Sequence, residues 1–170
     1  MKALGVRLHW AGFIFSVAVG SLLHFVYDWS GGSPLVAPFA AINESTWEHM
    51  KLLYWPMLAF GWLQWLAGGR DIGGFWRCKL AGMLLGLALI PVLFYTYNGV
   101  FGTSGALVNI GIFVLAAAAA YLLEWRLPGR GGGEALPLLL LWLLGLAFSV
   151  FSFIPPQLPL FISPVWLRCW

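Results

Sequence analysis

The segment Leu80–Leu123, LAGMLLGLALIPVLFYTYNGVFGTSGALVNIGIFVLAAAAAYLL, runs for 44 residues without a charged side chain. A transmembrane helix needs about 20 mostly apolar residues. The segment is therefore too long for one crossing and the right length for two. Asn98-Gly99 and Gly102-Thr103-Ser104-Gly105 interrupt its middle, and asparagine and glycine in such clusters mark turns. A hairpin of two apolar helices places the chain in the all-α, integral-membrane class.

The flanks extend the same pattern. Leu8–Tyr27 lies uncharged between Arg7 and Asp28 and fits one helix. Leu52–Gly69 lies between Lys51 and Arg70; it is slightly short, so its helix is expected to begin near Trp47. Ala135–Leu167 is also uncharged, but Pro155, Pro156, Pro159 and Pro164 bar a regular helix beyond Ile154, because proline lacks the backbone donor and clashes with the preceding turn. One domain spanning 1–170 is expected, with five transmembrane helices near 6–27, 46–67, 79–98, 105–125 and 136–154. An irregular or re-entrant segment would join helices 1 and 2, and a proline-rich tail would follow helix 5. Composition agrees: 61% of residues are hydrophobic and 9% charged, against about half and about a quarter in soluble domains. An ordinary soluble enzyme, a nucleic-acid binder and a disordered chain are excluded. The net charge of +3 rests on nine basic residues spread along the chain, so membrane lipids and not nucleic acid are the expected partners, with homo-oligomerisation left open.

With five helices, Lys2, Arg7, Arg70, Arg77, Lys79, Arg126 and Arg130 fall on one side, which the positive-inside rule makes cytoplasmic. The expected location is the inner (cytoplasmic) membrane, N-terminus inside and C-terminus outside. Helix 1 is expected to stay in place as a span, since no small-residue cleavage motif precedes Asp28. Cys78 and Cys169 fall on opposite sides and form no disulfide framework. Trp10, Trp29, Trp47, Trp55, Trp76, Trp125, Trp166 and Trp170 lie near predicted helix ends, as interfacial anchors do. Gly82, Gly86 and the Ala116–Ala120 run suit close helix packing. His9 reads as an interfacial side chain.

The polar residues concentrate between His24 and Lys51: His24, Asp28, Asn43, Glu44, Ser45, Thr46, Glu48, His49 and Lys51. Ionisable groups at membrane depth are costly and mark functional sites by default. His24 and Asp28 are four apart, as are Glu44 and Glu48, so each pair shares a helix face. If the apolar stretch Leu35–Ile42 folds back, Asn43–His49 lies over the end of helix 1 and His24 meets Glu44, Glu48 or His49. Histidines with carboxylates suit a divalent metal such as zinc, three protein ligands leaving one position for water. The expected ligands are His24 and His49 with Asp28, or else Glu44, completing the set, and Glu48 or Glu44 is the catalytic carboxylate acting as general base. The alternative for Ser45-Thr46-Trp47-Glu48 is a capping box, serine capping and glutamate reaching back; Lys51 would then snorkel or pair with Glu48. Asn43, Lys51, Tyr95, Asn98 and Asn109 are further polar candidates for an outer pocket.

The run Asn43–Pro56, NESTWEHMKLLYWP, resembles the signature of a family of small bacterial membrane proteins known only as a domain of unknown function. His24–Gly31, HFVYDWSG, and the late Pro155-Pro156 followed by Leu160-Phe161 are similar to the same family. Its tail carries an aspartate-proline where this chain has Ser163-Pro164. The resemblance implies a five-helix membrane protein and no particular chemistry.

Three functions follow as expectations. The first is a metal-dependent intramembrane hydrolase acting on a lipid or other amphiphile at the outer leaflet. The second is a small proton- or cation-coupled carrier, which the expected lack of ionisable groups in the inner halves of helices 3 and 5, with only Glu124 at the end of helix 4, disfavours. The third is a non-catalytic lipid- or cofactor-binding or assembly protein. Whether the chain is an enzyme at all is left undecided by the sequence.

Overall fold

A computed structural model of the chain describes residues 5–102, 105–129 and 131–163. Lys2, Thr103, Ser104, Arg130, Pro164, Trp166, Arg168, Cys169 and Trp170 lie outside the described residues. Five α-helices follow in order: α1 (Val6–Trp29), α2 (Thr46–Leu66), α3 (Phe75–Phe101), α4 (Ala106–Arg126) and α5 (Ala135–Phe153). Two single 3₁₀ turns, Gly69–Asp71 and Pro159–Phe161, complete the described structure, which contains no strand. The chain is thus all-α. Four of the helices, α1, α3, α4 and α5, are long and apolar enough to cross a membrane.

The second helix matches them in length but not in apolarity, and its position explains why. Thirteen of its 21 residues are buried, against four of 24 in α1. It forms the centre of the bundle and is covered by its neighbours, so polar residues can be carried where partners exist for them.

The helices α3 and α4 form a close antiparallel pair. A side chain at Gly82 would come within 2.8 Å of the Ala120 carbonyl, and one at Gly86 within 3.0 Å of the Ala120 methyl. Ala116, Ala117 and Ala120 are fully buried against this stripe, so small residues on both helices let the backbones approach. The N-terminus of α3 begins earlier than its apolar run, at Phe75. Glu134, at the start of α5, accepts the Phe75 and Trp76 amides at 2.8 and 2.9 Å, satisfying donors that a helix start leaves open.

Three expectations are corrected here. Trp47 and Trp76 are not interfacial anchors. Both are buried, Trp47 against Phe148 and Phe161 with ring centroids 4.5 and 4.7 Å away, and Trp76 against Trp62 at 4.8 Å. His9 is fully buried, and its Nε2 donates to the Tyr121 carbonyl at 2.8 Å. Lys79 is no loop charge: it is buried, 2.7 Å from Glu124 and 4.9 Å from the centre of the Tyr121 ring. In each case the residues that cover the side chain come from another element of the chain, beyond the reach of the local sequence pattern.

Candidate metal centre

The crossing of α1 and α2 sets the site. Any side chain at Gly20 would run into the Leu52 carbonyl and the Phe113 ring, so glycine brings the two helices together at this level. His24 lies one turn beyond Gly20, and His49 one turn before Leu52. The antiparallel crossing therefore faces the two imidazoles, whose ring centroids are 5.3 Å apart.

The connection between the helices delivers the carboxylate. After Gly31 and Gly32, both with positive φ, residues 33–40 form successive turns. Lys51 donates to the Ala37 carbonyl at 2.7 Å and Trp55 to the Pro38 carbonyl at 2.8 Å. These bonds pin the connection onto α2 and return Asn43–Ser45 over the end of α1. Asn43 Oδ1 accepts the Ser45 amide at 2.8 Å, and Ser45 Oγ accepts the Glu48 amide at 3.4 Å. The N-terminus of α2 is thus serine-capped, but the carboxylate of Glu48 does not complete the box. It takes the Ile42 amide instead, at 3.0 Å.

Glu44 lands between the histidines. Its Oε1 is 3.6 Å from His24 Nε2 and its Oε2 is 3.5 Å from His49 Nε2. One ligand atom from each of His24, Glu44 and His49 lies within 4.8 Å of the other two. Zinc bonds of about 2.0–2.2 Å imply ligand atoms about 3.3–3.5 Å apart in a tetrahedron, so small rotamer movements would close the set on one ion. Second contacts already orient one ligand. His49 Nδ1 lies 2.9 Å from the Ser45 carbonyl. A carbonyl only accepts, so Nδ1 carries the proton and Nε2 presents its lone pair toward Glu44, as a metal-binding imidazole does. The facing imidazole of His24 holds the Glu44 carboxyl below the usual carboxylate range, and partial burial opposes it.

Glu48 belongs to a different cluster, although it is one turn from Glu44. It is buried and paired with Lys51, and its Oε1 accepts from Ser152 at 3.2 Å. Lys51 also donates to Ser152 Oγ at 2.6 Å. Its three protons are therefore committed to Ala37, Glu48 and Ser152. Lys51 is fully buried and does not snorkel. Asp28 is exposed at the end of α1 and stands outside the group of three; His24 pairs with Glu44 rather than with Asp28. Tyr95 accepts from Thr46 Oγ1 at 3.3 Å and donates to the Pro159 carbonyl at 3.0 Å, tying the tail to α2. Asn98 donates to Phe94 O within its own helix.

A cavity of about 380 Å³ adjoins the three ligands. Ser21, His24, Glu44, His49 and Asn109 supply its polar wall, and Phe25, Leu52, Ile110 and Phe113 much of its apolar wall. Phe25 and Ile110 are each about half exposed, at 51% and 56%, so the cavity borders the flank of the bundle between α1 and α4. Among the described residues, the Asn109 Oδ1 has no hydrogen-bond partner and is buried behind the cavity wall. The apolar lining residues carry no signal in the sequence that separates them from other membrane-helix residues. The one legible clue was Gly20, four residues before His24. No curated protein and no solved structure matches the chain. Residues 7–167 match a family described as a family of unknown function, DUF6512, and the chain belongs to that family.

Proposed function

We propose that the chain is a five-span membrane protein whose basic end faces the cytoplasm, and that His24, Glu44 and His49 bind a divalent metal, zinc by preference, for hydrolysis of an amphiphile at the outer leaflet of the bacterial inner membrane. The helix α2 is the central crossing, shielded from lipid by the four more apolar helices. The turns at 33–40 lie in the headgroup region as a re-entrant segment, their carbonyls satisfied by Lys51 and Trp55. The observation that carries this reading is the convergence of two imidazoles and a carboxylate at the wall of a largely apolar cavity. Two histidines with one glutamate form a three-ligand set of the kind that leaves a fourth position for water in catalytic zinc sites. Such an ion lowers the pKa of water and polarises a carbonyl.

The protein contributes position. His49 is oriented by Ser45, Glu44 is held between the rings, and Glu48 maintains the fold of α2 and takes no part in proton transfer. The cavity flank between α1 and α4 admits a chain from the lipid with its polar group toward the ligands.

Zinc-loaded protein in vesicles of mixed acyl lipids is expected to release fatty acid, and chelation or His24→Ala/His49→Ala to abolish the release. Equal release from the double variant would overturn the assignment.

A further inference from the structure

The bundle carries two buried lysine–glutamate pairs, and they are completed differently. In the Lys51–Glu48 pair the protein supplies every partner. Lys51 donates to Ala37, Glu48 and Ser152, and the two carboxylate oxygens of Glu48 accept from Ser152 and the Ile42 amide. The Lys79–Glu124 pair at the other end is fully buried too, but it is short of partners. An ammonium has three protons to donate. Among the described residues, Lys79 meets one oxygen, Glu124 Oε2 at 2.7 Å, and the face of the Tyr121 ring at 4.9 Å. Glu124 Oε1 is buried with no hydrogen-bond partner.

Two further acceptors are left open at the same level. His9 Nε2 donates to the Tyr121 carbonyl at 2.8 Å, so Nδ1 carries the lone pair of the neutral ring; it is buried and unpartnered. Gln64 Nε2 donates to the Leu8 carbonyl at 3.3 Å, while its buried Oε1 has no donor. Gln64 lies one turn beyond Gly61, where a Cβ would be 3.6 Å from Lys79 Cε. The helices α1, α2, α3 and α4 thus each bring one such group to the same end of the bundle. Native interiors leave few buried polar atoms unpaired. A carboxylate oxygen, an imidazole nitrogen and an amide oxygen beside unused ammonium protons need a ligand that both donates and accepts. Water does both, and buried water makes about 2–4 hydrogen bonds to groups of this kind.

We infer that the basic end of the bundle holds a second binding site, whose ligand is water held by Glu124 Oε1, His9 Nδ1, Gln64 Oε1 and the free protons of Lys79. The four residues lie in the first or last two turns of their helices, so this water exchanges with the aqueous phase at that end without crossing the apolar core. The Lys51–Glu48 pair, closed by protein groups, stays dry. The site is independent of the metal centre at the opposite end.

Hydroxyl-radical labelling tests this, because radicals formed from bound water by an X-ray pulse oxidise the side chains beside it. Tyr121 and Tyr54 are a matched pair: both are fully buried, Tyr121 one turn from Glu124 and Tyr54 one turn from Lys51. Full-length protein in mild detergent is pulsed and digested, and oxidation at each tyrosine is followed by mass spectrometry. Tyr121 is expected to be oxidised several-fold faster than Tyr54. In Lys79→Met/Glu124→Leu, folded by circular dichroism, the Tyr121 rate is expected to fall to that of Tyr54. Equal rates at the two tyrosines of wild type, whether slow or fast, would overturn the water site, as would undiminished oxidation of Tyr121 in the folded double variant. If the variant does not fold, the comparison within wild type decides alone.

Discussion

Glu44 and Glu48 are four residues apart and take opposite environments. Glu44 is half exposed at 54% and lies between two imidazoles; Glu48 is 2% exposed and is held by Lys51, Ser152 and the Ile42 amide. The sequence marks both as carboxylates near histidines, and spacing alone does not separate a ligand from a structural ion. The separation comes from Ser152 and Ala37, which reach Lys51 from α5 and from the connection. The low pKa of Glu44 has a defined sign. A carboxylate favoured in the folded state contributes stability above its unfolded pKa, and this is lost as pH falls through the lower, folded value. Metal affinity falls from higher pH than this, as soon as the ligand imidazoles take up protons, because protonation removes ligand lone pairs. For the buried pair, removing one charge leaves the other unpaired, at about 3–5 kcal/mol. Lys51→Ala is therefore expected to lower unfolding stability in detergent by about that much. Lys51→Met/Glu48→Gln is expected to cost clearly less, as measured by thermal or denaturant unfolding. Equal losses would show that the pair does not act as a unit.

At the level of elements, the apolar helices were legible because lipid demands uniform apolarity over a fixed length. The all-α class follows from that demand, as does the turn that divides Leu80–Leu123. What composition cannot carry is α2, which is central and less apolar, and the start of α3, which runs four residues ahead of its expected beginning. The cause of the second is Glu134, 59 residues away from the Phe75 amide it accepts. A helix cap is worth about 0.5–2 kcal/mol. Glu134→Ala is expected to cost about 1 kcal/mol, and hydrogen exchange is expected to speed up at the Phe75 and Trp76 amides while the α4 amides keep their protection. Unchanged exchange at the start of α3 would mean that the carboxylate does not hold it. Gly20 and Gly82 each face a backbone carbonyl of a neighbouring helix, Leu52 and Ala120. The sequence reading singled out Gly82 as a packing residue and left Gly20 unremarked, although Gly12, Ser16 and Gly20 repeat at the same four-residue spacing.

At the scale of the whole molecule, polar chemistry is divided between the two ends of one apolar bundle. One end has the buried Lys79–Glu124 pair with His9 and Tyr121 beside it. The other has the Glu48–Lys51–Ser152 cluster and, next to it, the His24–Glu44–His49 group over a cavity. The sequence located the second concentration between His24 and Lys51, and the pairing of His24 with Glu44 and His49 was among the contacts it allowed. It also offered Asp28 as a ligand and Glu48 as the general base, since choosing among the carboxylates requires the path of the connection, which Lys51 and Trp55 determine. The three candidate ligands come from α1, the connection and α2, so an ion held there cross-links three segments. Such a ligand stabilises the folded state by mass action.

The most direct measurement is the metal content of the full chain, purified in mild detergent without chelator or affinity-resin metal, beside Glu44→Ala and His24→Ala/His49→Ala variants that remain folded by circular dichroism. About one zinc or other transition-metal ion per chain is predicted for wild type, reduced in Glu44→Ala and absent from the double variant. Folded wild-type protein that takes up no metal when zinc is supplied, or variants that retain the full complement, would contradict the assignment of His24, Glu44 and His49 as a metal centre.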